Sequence, residues 1–289
     1  MKAAIHHLKS QRSLPLLVFI LNVALCATAL AHGDLHEQID ALTLQILKGP
    51  ENAGLYLKRA ELFRIHEDWP AAAADYDRAA ILAPALPGIE FGRARMLFAS
   101  GHAGDAEIIL AQFLKRNPRH AEGYAVHGRI EMKLGNPLAA ADDFAKTLEY
   151  SARPDPEIYL ERAHALAAAG IGEHGAKAVE VLREGMKLLG NLPTLGLYAI
   201  ELEAAQKRFD SAITLLDELS SSAQRQEHWL ERRGDLLSQA GRRDEAGKSY
   251  QAASDAAARL PERIRTTKAM MELQLRLNKK VNESQPAAN

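Results

Sequence analysis

The sequence has little of three things that define many protein classes: cysteine, aromatic residues and an excess of charge of one sign. Its single cysteine, Cys26, leaves no partner for an internal disulfide. Aromatic residues make up only 6% of the chain, which favours thin helices in close contact over one large core. The net charge is −1, and it is −4 without residues 1–31, which carry three bases and no acid. Nucleic acid is therefore not an expected partner, because binding phosphates needs a concentrated basic surface.

The sequence also lacks recognisable catalytic motifs. It contains no phosphate-binding glycine loop, no nucleophile elbow and no paired metal-binding cysteines. His36-Glu37 begins like the HExxH zinc motif, but Asp40 stands where the second histidine belongs. We therefore expect a protein that is not an enzyme and that needs no cofactor or resident metal.

The N-terminus has the three parts of a secretory signal. Lys2, Lys9 and Arg12 give a positive start, an apolar run extends from Leu14 to Ala27, and Ala29-Leu30-Ala31 offers an A-x-A cleavage site. The run is shorter than the roughly 20 residues of a membrane-spanning helix. We expect residues 1–31 to be a cleaved signal peptide and the mature chain to be exported, with a periplasmic location.

Two alternatives keep the chain at a membrane. The segment from Leu14 to Leu30 would act as an uncleaved anchor, or Cys26 would carry a lipid, although Leu25 departs from the small residue expected before such a cysteine. Either form would make the protein a membrane-anchored envelope assembly factor, and a secreted protein is a further possibility. Cleavage after Ala31 would leave no stable membrane insertion and no cysteine, so helix packing alone would have to stabilise the mature chain.

What the chain does have is an alanine that recurs at a nearly constant distance. The steps between successive copies are 34, 34, 38, 34 and 34 residues. The six positions are Ala72, Ala106, Ala140, Ala178, Ala212 and Ala246. A larger apolar residue follows four positions after each of them: Tyr76, Leu110, Phe144, Leu182, Leu216 and Tyr250. A fixed period of this length indicates a repeat architecture, whose units bury their apolar faces only by stacking on neighbours.

Each repeat has the pattern of two helices. In the first repeat, Tyr56 and Ala60 share one helical face, and Pro70 introduces a second helix with Ala72 and Tyr76 on one side. The alanines let two backbones approach, while the larger side chains fill the space around them. Four later repeats have a glycine in the turn between the helices, where we expect a left-handed backbone. These glycines are Gly101, Gly135, Gly170 and Gly241.

Over about residues 53–260 these patterns resemble the tetratricopeptide repeat family. The third repeat shows the resemblance best, through Tyr124, Gly128, Leu134, Gly135, Ala140, Phe144 and Leu148. The resemblance implies an all-α fold, namely a right-handed superhelical α-solenoid of about six helix-turn-helix repeats with a helical cap at each end.

The expected organisation has four parts after the signal peptide. They are an N-terminal capping helix (32–52), the repeat array (53–260), a C-terminal capping helix (261–280) and a disordered tail (281–289). The 38-residue step predicts a longer turn in the fourth repeat, between Gly170 and Gly175. The C-terminal cap has a local charge of +4 over residues 262–280, which either solvates the end of the array or attracts an acidic partner or membrane surface.

The resemblance also implies a binding site. In this family the first helix of each pair lines a concave groove. The inward positions here give nine candidate residues: Leu57, Arg64, Phe91, Arg95, Phe98, Arg129, Met132, Lys133 and His164. This mixture of apolar and basic side chains would suit an extended or helical protein segment with acidic and apolar residues. The Lys and Asn set with which some members clamp a terminal carboxylate is absent, so chaperone-tail recognition is not expected.

We therefore expect a non-catalytic protein–protein interaction scaffold or adaptor of the cell envelope, whose oligomeric state the sequence does not determine. Metal handling is the alternative that the residues suggest. Cleavage after Ala31 would leave His32 as the first residue, and its amine and imidazole together chelate copper. His36 would add a third nitrogen. The protein would then be a periplasmic copper-handling accessory protein.

Overall fold

A computed structural model describes residues 34–221 and 223–284 of the chain. Within these ranges the regular structure consists of fifteen α-helices, and no strand occurs there. The chain divides into two compact units, Met1–Asn117 and Pro118–Asn289, which we call the N-terminal and C-terminal units. Both consist of helical hairpins, so the prediction of an all-α solenoid fold is confirmed. The predicted signal peptide lies outside the described residues.

The N-terminal unit has a single helix followed by two hairpins. Its helices are α1 (34–48), α2 (Ala53–Ile65), α3 (Trp69–Leu82), α4 (Pro87–Ala99) and α5 (Ala103–Arg116). The side chains of Asn52 and Asp68 accept hydrogen bonds from the free amides at the starts of α2 and α3. The two helices of each hairpin pack together, and α3 also packs on α4.

The C-terminal unit has four hairpins followed by two single helices. The hairpins are α6 (Ala121–Leu134) with α7 (Pro137–Tyr150), α8 (Pro156–Ala169) with α9 (Glu173–Leu189), α10 (Pro193–Ala205) with α11 (Phe209–Ser220), and α12 (Glu227–Gln239) with α13 (Arg243–Ala258). The last helices are α14 (Glu262–Arg265) and α15 (Lys268–Ser284). One continuous core extends through this unit from Ala125 to Leu277. Helix α15 packs on α13 in the way that α8 packs on α7.

The repeat alanines lie where helices approach each other most closely. All six have 0% exposed surface, and the larger residue four positions later is buried in every repeat. In the sixth hairpin the facing position must also be small, because a Cβ atom at Gly234 would lie 2.4 Å from the ring of Tyr250. The predicted packing of small against large residues is therefore confirmed.

The turns between paired helices use a left-handed residue at three of the four predicted glycines, whereas Gly170 has φ 148° and ψ 154°, outside the left-handed helical region. Gly101, Gly135 and Gly241 have φ values of 89°, 84° and 77°. The same turn position holds Glu67 in the first repeat and Lys207 in the fifth, with φ values of 62° and 58°. The backbone conformation of these two residues costs a non-glycine residue roughly 1–2 kcal/mol. The turn geometry is therefore kept even where the sequence does not supply glycine.

The fourth repeat differs from the prediction of a longer turn. Helix α8 ends at Ala169 and α9 begins at Glu173, so three residues join them, as three join α2 and α3. The extra residues lengthen the second helix instead: α9 has 17 residues, whereas α3 has 14. Glu173 stabilises this extension, because a carboxylate suits a helix N-terminus and because it accepts a 2.7 Å hydrogen bond from Lys177.

The C-terminal cap also differs from the predicted single helix over 261–280. It breaks at Thr266 and Thr267, whose hydroxyl groups donate to the carbonyl oxygens of Glu262 and Ile264 and so favour a local turn. The second part, α15, continues to Ser284, because Met270, Leu273 and Leu277 form one buried stripe against the core. Residues 281–284 are therefore helical and not part of a disordered tail, while 285–289 lie outside the described residues.

The sequence predicts a membrane-spanning candidate only in the N-terminal segment. Among the helices of residues 34–221 and 223–284, none combines the length and the apolar character that crossing a bilayer requires. The possible anchor from Leu14 to Leu30 is not in these ranges.

Candidate functional site

The predicted groove residues all lie on first helices of hairpins. One position recurs there eleven residues before the repeat alanine, or fourteen in the long fourth repeat. It is occupied by Glu61, Arg95, Arg129, His164, Glu201 and Asp235. We call the side of α2, α4, α6, α8, α10 and α12 that carries this position the first-helix face. The N-terminal and C-terminal units each carry part of this face.

In the N-terminal unit, the first-helix face centres on Glu61. Its carboxylate accepts a 2.6 Å hydrogen bond from the hydroxyl group of Tyr76 and a 3.0 Å bond from Nε of Arg64. Nη1 of Arg95, on the next first helix, lies 3.9 Å from the same carboxylate. The structure thus brings two of the predicted basic residues together around a carboxylate of this chain, which balances one of their two charges.

The predicted apolar residues of this unit are only partly accessible. Phe91 is 8% exposed and stacks on Phe113, with ring centroids 5.6 Å apart. The guanidinium of Arg95 also contacts the Phe91 ring and lies 5.4 Å from its centroid. Leu57 and Phe98 are half-buried. Phe91 therefore packs within its unit and offers little surface to a partner.

In the C-terminal unit, Arg129 links two successive first helices. Its Nε and Nη2 atoms donate to the two carboxylate oxygens of Glu161 on α8, at 2.6 and 3.0 Å. This two-bond contact raises the pKa of Arg129 and keeps its charge matched. Met132 is half-buried against the core, whereas Lys133 is exposed. Arg129 is therefore a tie between helices as well as a candidate contact for a partner.

His164 is the most accessible aromatic group among the predicted residues. It is exposed on α8, and its ring centroid lies 4.3 Å from that of Tyr198 on α10. The phenol of Tyr198 has a raised pKa, caused mainly by burial and then by the nearby charge of Glu201. The two rings are tilted by 49° to each other and together present a partly apolar aromatic surface.

An open cleft lies further along this face, between α10 and α12. It has a volume of about 580 Å³. Its lining includes Ile200, Ala204 and Leu236 among the apolar groups, and Glu201, His228, Glu231, Arg232 and Asp235 among the polar ones. Arg232 donates a 2.9 Å hydrogen bond to Glu201 across the cleft. The nine candidate residues predicted from the sequence include none of the residues that line this cleft.

Helix α15 supplies bases beside this cleft. Arg276 donates to both oxygens of Glu231 at 2.7 and 3.0 Å, and Lys280 donates to Glu231 and to Asp235 at 3.0 and 2.6 Å. The hydrogen bond from Arg276 is the main cause that lowers the pKa of Glu231 to about 2. The excess of base in the C-terminal cap was the only sequence signal of this contact.

The residues proposed for copper are only partly described. His32 lies outside the described residues. His36, on α1, contacts His66 edge to face, with ring centroids 4.6 Å apart. The structure thus places a second imidazole beside His36, a neighbour that the sequence pattern did not indicate.

Comparison with known proteins agrees with this architecture. Residues 187–276 match a family model described as a tetratricopeptide repeat-like domain. That range covers α10 to α13 and most of α15, including the cleft between α10 and α12. A search of curated proteins found no match.

Solved structures of repeat proteins are similar over most of the chain. The C-terminal part of a TPR repeat-containing protein from Cytophaga hutchinsonii has a TM-score of 0.62 at 14% identity, with 84% of this chain and 95% of that chain covered. A tetratricopeptide repeat protein from Parabacteroides merdae has a TM-score of 0.50 at 17% identity, with coverages of 86% and 94%. A chain in the structure of Naa15/Naa10 bound to HypK-THB has a TM-score of 0.55 at 16% identity. This match covers 91% of the present chain but only 39% of that one. At these identities the likeness establishes the fold alone.

Proposed function

We propose that this protein is a non-catalytic interaction scaffold of the cell envelope that holds a segment of a partner protein on its first-helix face. The observation that carries the proposal is the cleft of about 580 Å³ between α10 and α12. It lies at the repeat position that the family resemblance implies for binding, and it is open although Glu201 pairs with Arg232 and Asp235 with Lys280.

The chemistry of the cleft suits a polypeptide. Its apolar floor is formed mainly by the accessible Ala204 and Ala205, since Ile200 and Leu236 are only 1% and 4% exposed, and its edges carry the paired charges of Glu201 and Arg232. A partner side chain would bury apolar surface on the floor, at roughly 25 cal/mol per Å². Its neighbouring backbone and polar groups would then meet donors and acceptors at the edges.

The balance of charge changes the expected partner. The arginines predicted to attract acidic residues each face a glutamate of their own unit: Arg64 and Arg95 face Glu61, and Arg129 faces Glu161. Because two glutamates balance two of these three positive charges, a partner needs no large acidic excess. A segment of mixed charge with an apolar anchor fits the face better.

Two further observations support a scaffold in the envelope. Helical-repeat proteins commonly present long binding surfaces, and the similar chain in the Naa15/Naa10 structure belongs to a complex with other proteins. The N-terminal pattern of bases, apolar run and A-x-A site supports export, with a periplasmic location after cleavage.

Site-specific crosslinking tests the proposal. A photo-crosslinking residue is placed at His164 or His228, both exposed on first helices, and in a control at Glu149, exposed on a second helix. In the native host's envelope, the two first-helix positions are expected to crosslink to the same partner, and Glu149 is not. Equal crosslinking from Glu149, or none from His164 and His228, would contradict the proposal.

Copper handling is a second candidate, favoured by the contact between His36 and His66. In that case processed protein that begins at His32 would bind Cu²⁺ in a calorimetric titration, and His36→Ala and His66→Ala would each weaken binding. The same weak binding in all variants would exclude it. Mass spectrometry of the exported protein separates the anchored forms, since a start at His32 shows that neither anchor is present.

A further inference from the structure

A second recurring position carries a basic side chain in every repeat except the fifth, where it is Ala199, and in the fourth repeat this base lacks a carboxylate. The position lies two residues before that of Glu61 on the first helix, so its side chain points about 200° away, toward the second helices. In the first repeat it is Arg59, whose Nε and Nη2 atoms donate to Asp75 at 2.7 and 2.8 Å. In the third repeat it is His127, whose Nδ1 lies 2.5 Å from Asp143.

The second and sixth repeats satisfy the same position from a different helix. Arg93 pairs with Asp77, and Arg233 donates to Asp217 at 3.1 Å. Both carboxylates belong to the second helix of the preceding hairpin. The carboxylate that pairs with this base therefore occupies one of two sequence positions. It lies three residues after the repeat alanine of the same hairpin, or five residues after the repeat alanine of the preceding hairpin.

The fourth repeat has the base but neither carboxylate. Arg162 occupies the position, while the two acceptor places are filled by Val181 and Ala145. Within residues 34–221 and 223–284, no hydrogen bond or ion pair engages Arg162, and its Nε atom is buried without an acceptor. Nδ1 of His174 is buried and unbonded in the same part of the chain. Two buried polar atoms without partners are costly unless a ligand satisfies them.

Both residues line one cleft of about 480 Å³, which we call the Arg162 cleft. It lies over α8 and between α7 and α9, and its apolar lining is Leu138, Ala141, Leu166 and Val181. The residues that lengthen α9 place His174 there, so the irregular repeat and the unpaired arginine meet at one site. The remaining charged residues of the lining are Asp142, Lys177, Glu180 and Glu184, and Lys177 already pairs with Glu173.

The equivalent cleft of the sixth repeat provides a comparison. It lies over α12 and between α11 and α13, and its lining contains Arg233 together with Asp217. There the arginine already has its carboxylate, and the volume is smaller, about 330 Å³. The Arg162 cleft therefore differs from its counterpart by a missing carboxylate and additional space.

We propose that the Arg162 cleft binds an acidic side chain of a partner protein, with an adjacent apolar side chain on the cleft floor. Nε–H of Arg162 donates to one carboxylate oxygen, and His174 donates to the carboxylate from Nδ1 when that nitrogen carries a proton. The apolar neighbour packs on Leu138, Leu166 and Val181. The carboxylates of Asp142, Glu180 and Glu184 in the lining repel anions, so the cleft admits one carboxylate at most, and only beside Arg162, where the guanidinium offsets the repulsion. This site lies on the opposite side of α8 from His164, so it does not depend on binding at the first-helix face.

Binding of two matched dipeptides tests the proposal. The probes are N-acetyl-leucyl-glutamate amide and its uncharged counterpart N-acetyl-leucyl-glutamine amide, added to the full exported chain. The Nε–H signal of Arg162 in the ¹⁵N NMR spectrum is expected to shift with the glutamate probe at millimolar concentrations and to require at least about tenfold more of the glutamine probe. Equal shifts with both probes, or no shift with either, would overturn the proposal.

Three variants locate the binding. Arg162→Met is expected to abolish binding of the glutamate probe, measured by calorimetry, whereas Arg233→Met in the equivalent cleft leaves it unchanged. Val181→Asp restores the carboxylate position of Asp75 and Asp143, so it should engage Arg162 internally, raise the melting temperature and block the probe. Binding that persists in Arg162→Met or in Val181→Asp would contradict the assignment.

Melting temperatures check that these losses are not unfolding. Arg162→Met leaves no carboxylate without a partner, so its melting temperature should equal or exceed that of the wild type. Arg59→Met, the matched change in the first repeat, leaves Asp75 buried and unpaired and should melt lower. If Arg162→Met fails to fold, the result with the stabilised Val181→Asp variant decides the question.

Discussion

The hydroxyl group of Tyr76 donates a 2.6 Å hydrogen bond to Oε1 of Glu61, and Tyr250 donates to Asp235 at the same repeat position five repeats later. Each bond joins the large residue of a second helix to the first helix of its own hairpin. Burial and this bond raise the pKa of Tyr76 far above its usual value of 10.0. The same contact therefore closes the hairpin and orients a carboxylate of the first-helix face.

Removing this hydroxyl should destabilise the hairpin. Tyr76→Phe is expected to lower the free energy of unfolding by about 2 kcal/mol, because a buried hydrogen bond to a charged group is lost. Urea denaturation followed by circular dichroism measures the change. The control is Tyr56→Phe, which removes an exposed 3.2 Å bond to the carbonyl oxygen of Pro50 and should have little effect. Equal effects of the two changes would show that the contact with Glu61 is not important.

The raised pKa of Tyr76 also predicts a pH dependence. Because the folded state holds the proton more tightly than the unfolded state, the stability is complete below pH 10 and is lost as the pH rises above it. Tyr76→Phe should therefore lose less stability than the wild type between neutral and strongly alkaline pH. Parallel losses in both proteins would contradict the assignment.

Low pH should destabilise the C-terminal unit through protonation of Glu231. Its pKa of about 2 lies below the ordinary value of 4.5, so its contribution is present above pH 4.5 and is lost as the pH falls toward 2. After allowance for the partly exposed Arg276, the contribution is about 1–2 kcal/mol. Glu231→Gln should remove this part of the acid sensitivity. A wild-type pH profile retained in the variant would show that the contact between α12 and α15 does not stabilise the protein.

The left-handed turn residues Glu67 and Lys207 predict substitutions that increase stability. Lys207→Gly and Glu67→Gly are each expected to raise the free energy of unfolding by about 0.5–1 kcal/mol, because glycine adopts positive φ without strain. The reverse change, Gly241→Ala at φ 77°, should cost about 1 kcal/mol. Thermal melting of the three variants checks the signs. Stabilisation by Gly241→Ala would contradict the turn geometry.

Two helical glycines, Gly234 and Gly104, are expected to change stability in opposite directions when replaced by alanine. A Cβ at Gly234 would lie 2.4 Å from the Tyr250 ring, so Gly234→Ala should cost about 2 kcal/mol through overpacking. A Cβ at Gly104 meets nothing within 4 Å, so Gly104→Ala should stabilise by about 0.5–1 kcal/mol through helix propensity. Denaturant unfolding of the two variants measures the difference. Similar effects would show that Gly234 is not required by close packing.

The sequence was sufficient for the fold because the fold depends on a short-range pattern. The spacing of Ala72 and Tyr76 repeats with each unit, and the burial of these residues follows from helix geometry alone. The turn glycines follow in the same way from backbone sterics. The fourth repeat was predicted wrongly, because its period shows that residues are added but does not show whether a turn or a helix contains them.

The candidate site was less accessible to sequence reasoning. Its arginines were recognised, but their partners lie on neighbouring helices at separations such as the 32 residues between Arg129 and Glu161. Periodicity does not reveal which acid a long, flexible base will meet. As a result, Arg129→Glu alone would place two like charges together and would confuse loss of binding with loss of stability. A charge swap of Arg129 and Glu161 avoids this problem.

The same reasoning identifies the most direct measurement for the proposed scaffold. The double variant Glu201→Arg with Arg232→Glu keeps the internal ion pair across the α10–α12 cleft while exchanging the charges that a partner meets. Calorimetry would measure the affinity for the partner identified by crosslinking. We predict at least about tenfold weaker binding with an unchanged melting temperature. An unchanged affinity in this variant would contradict binding at the first-helix face.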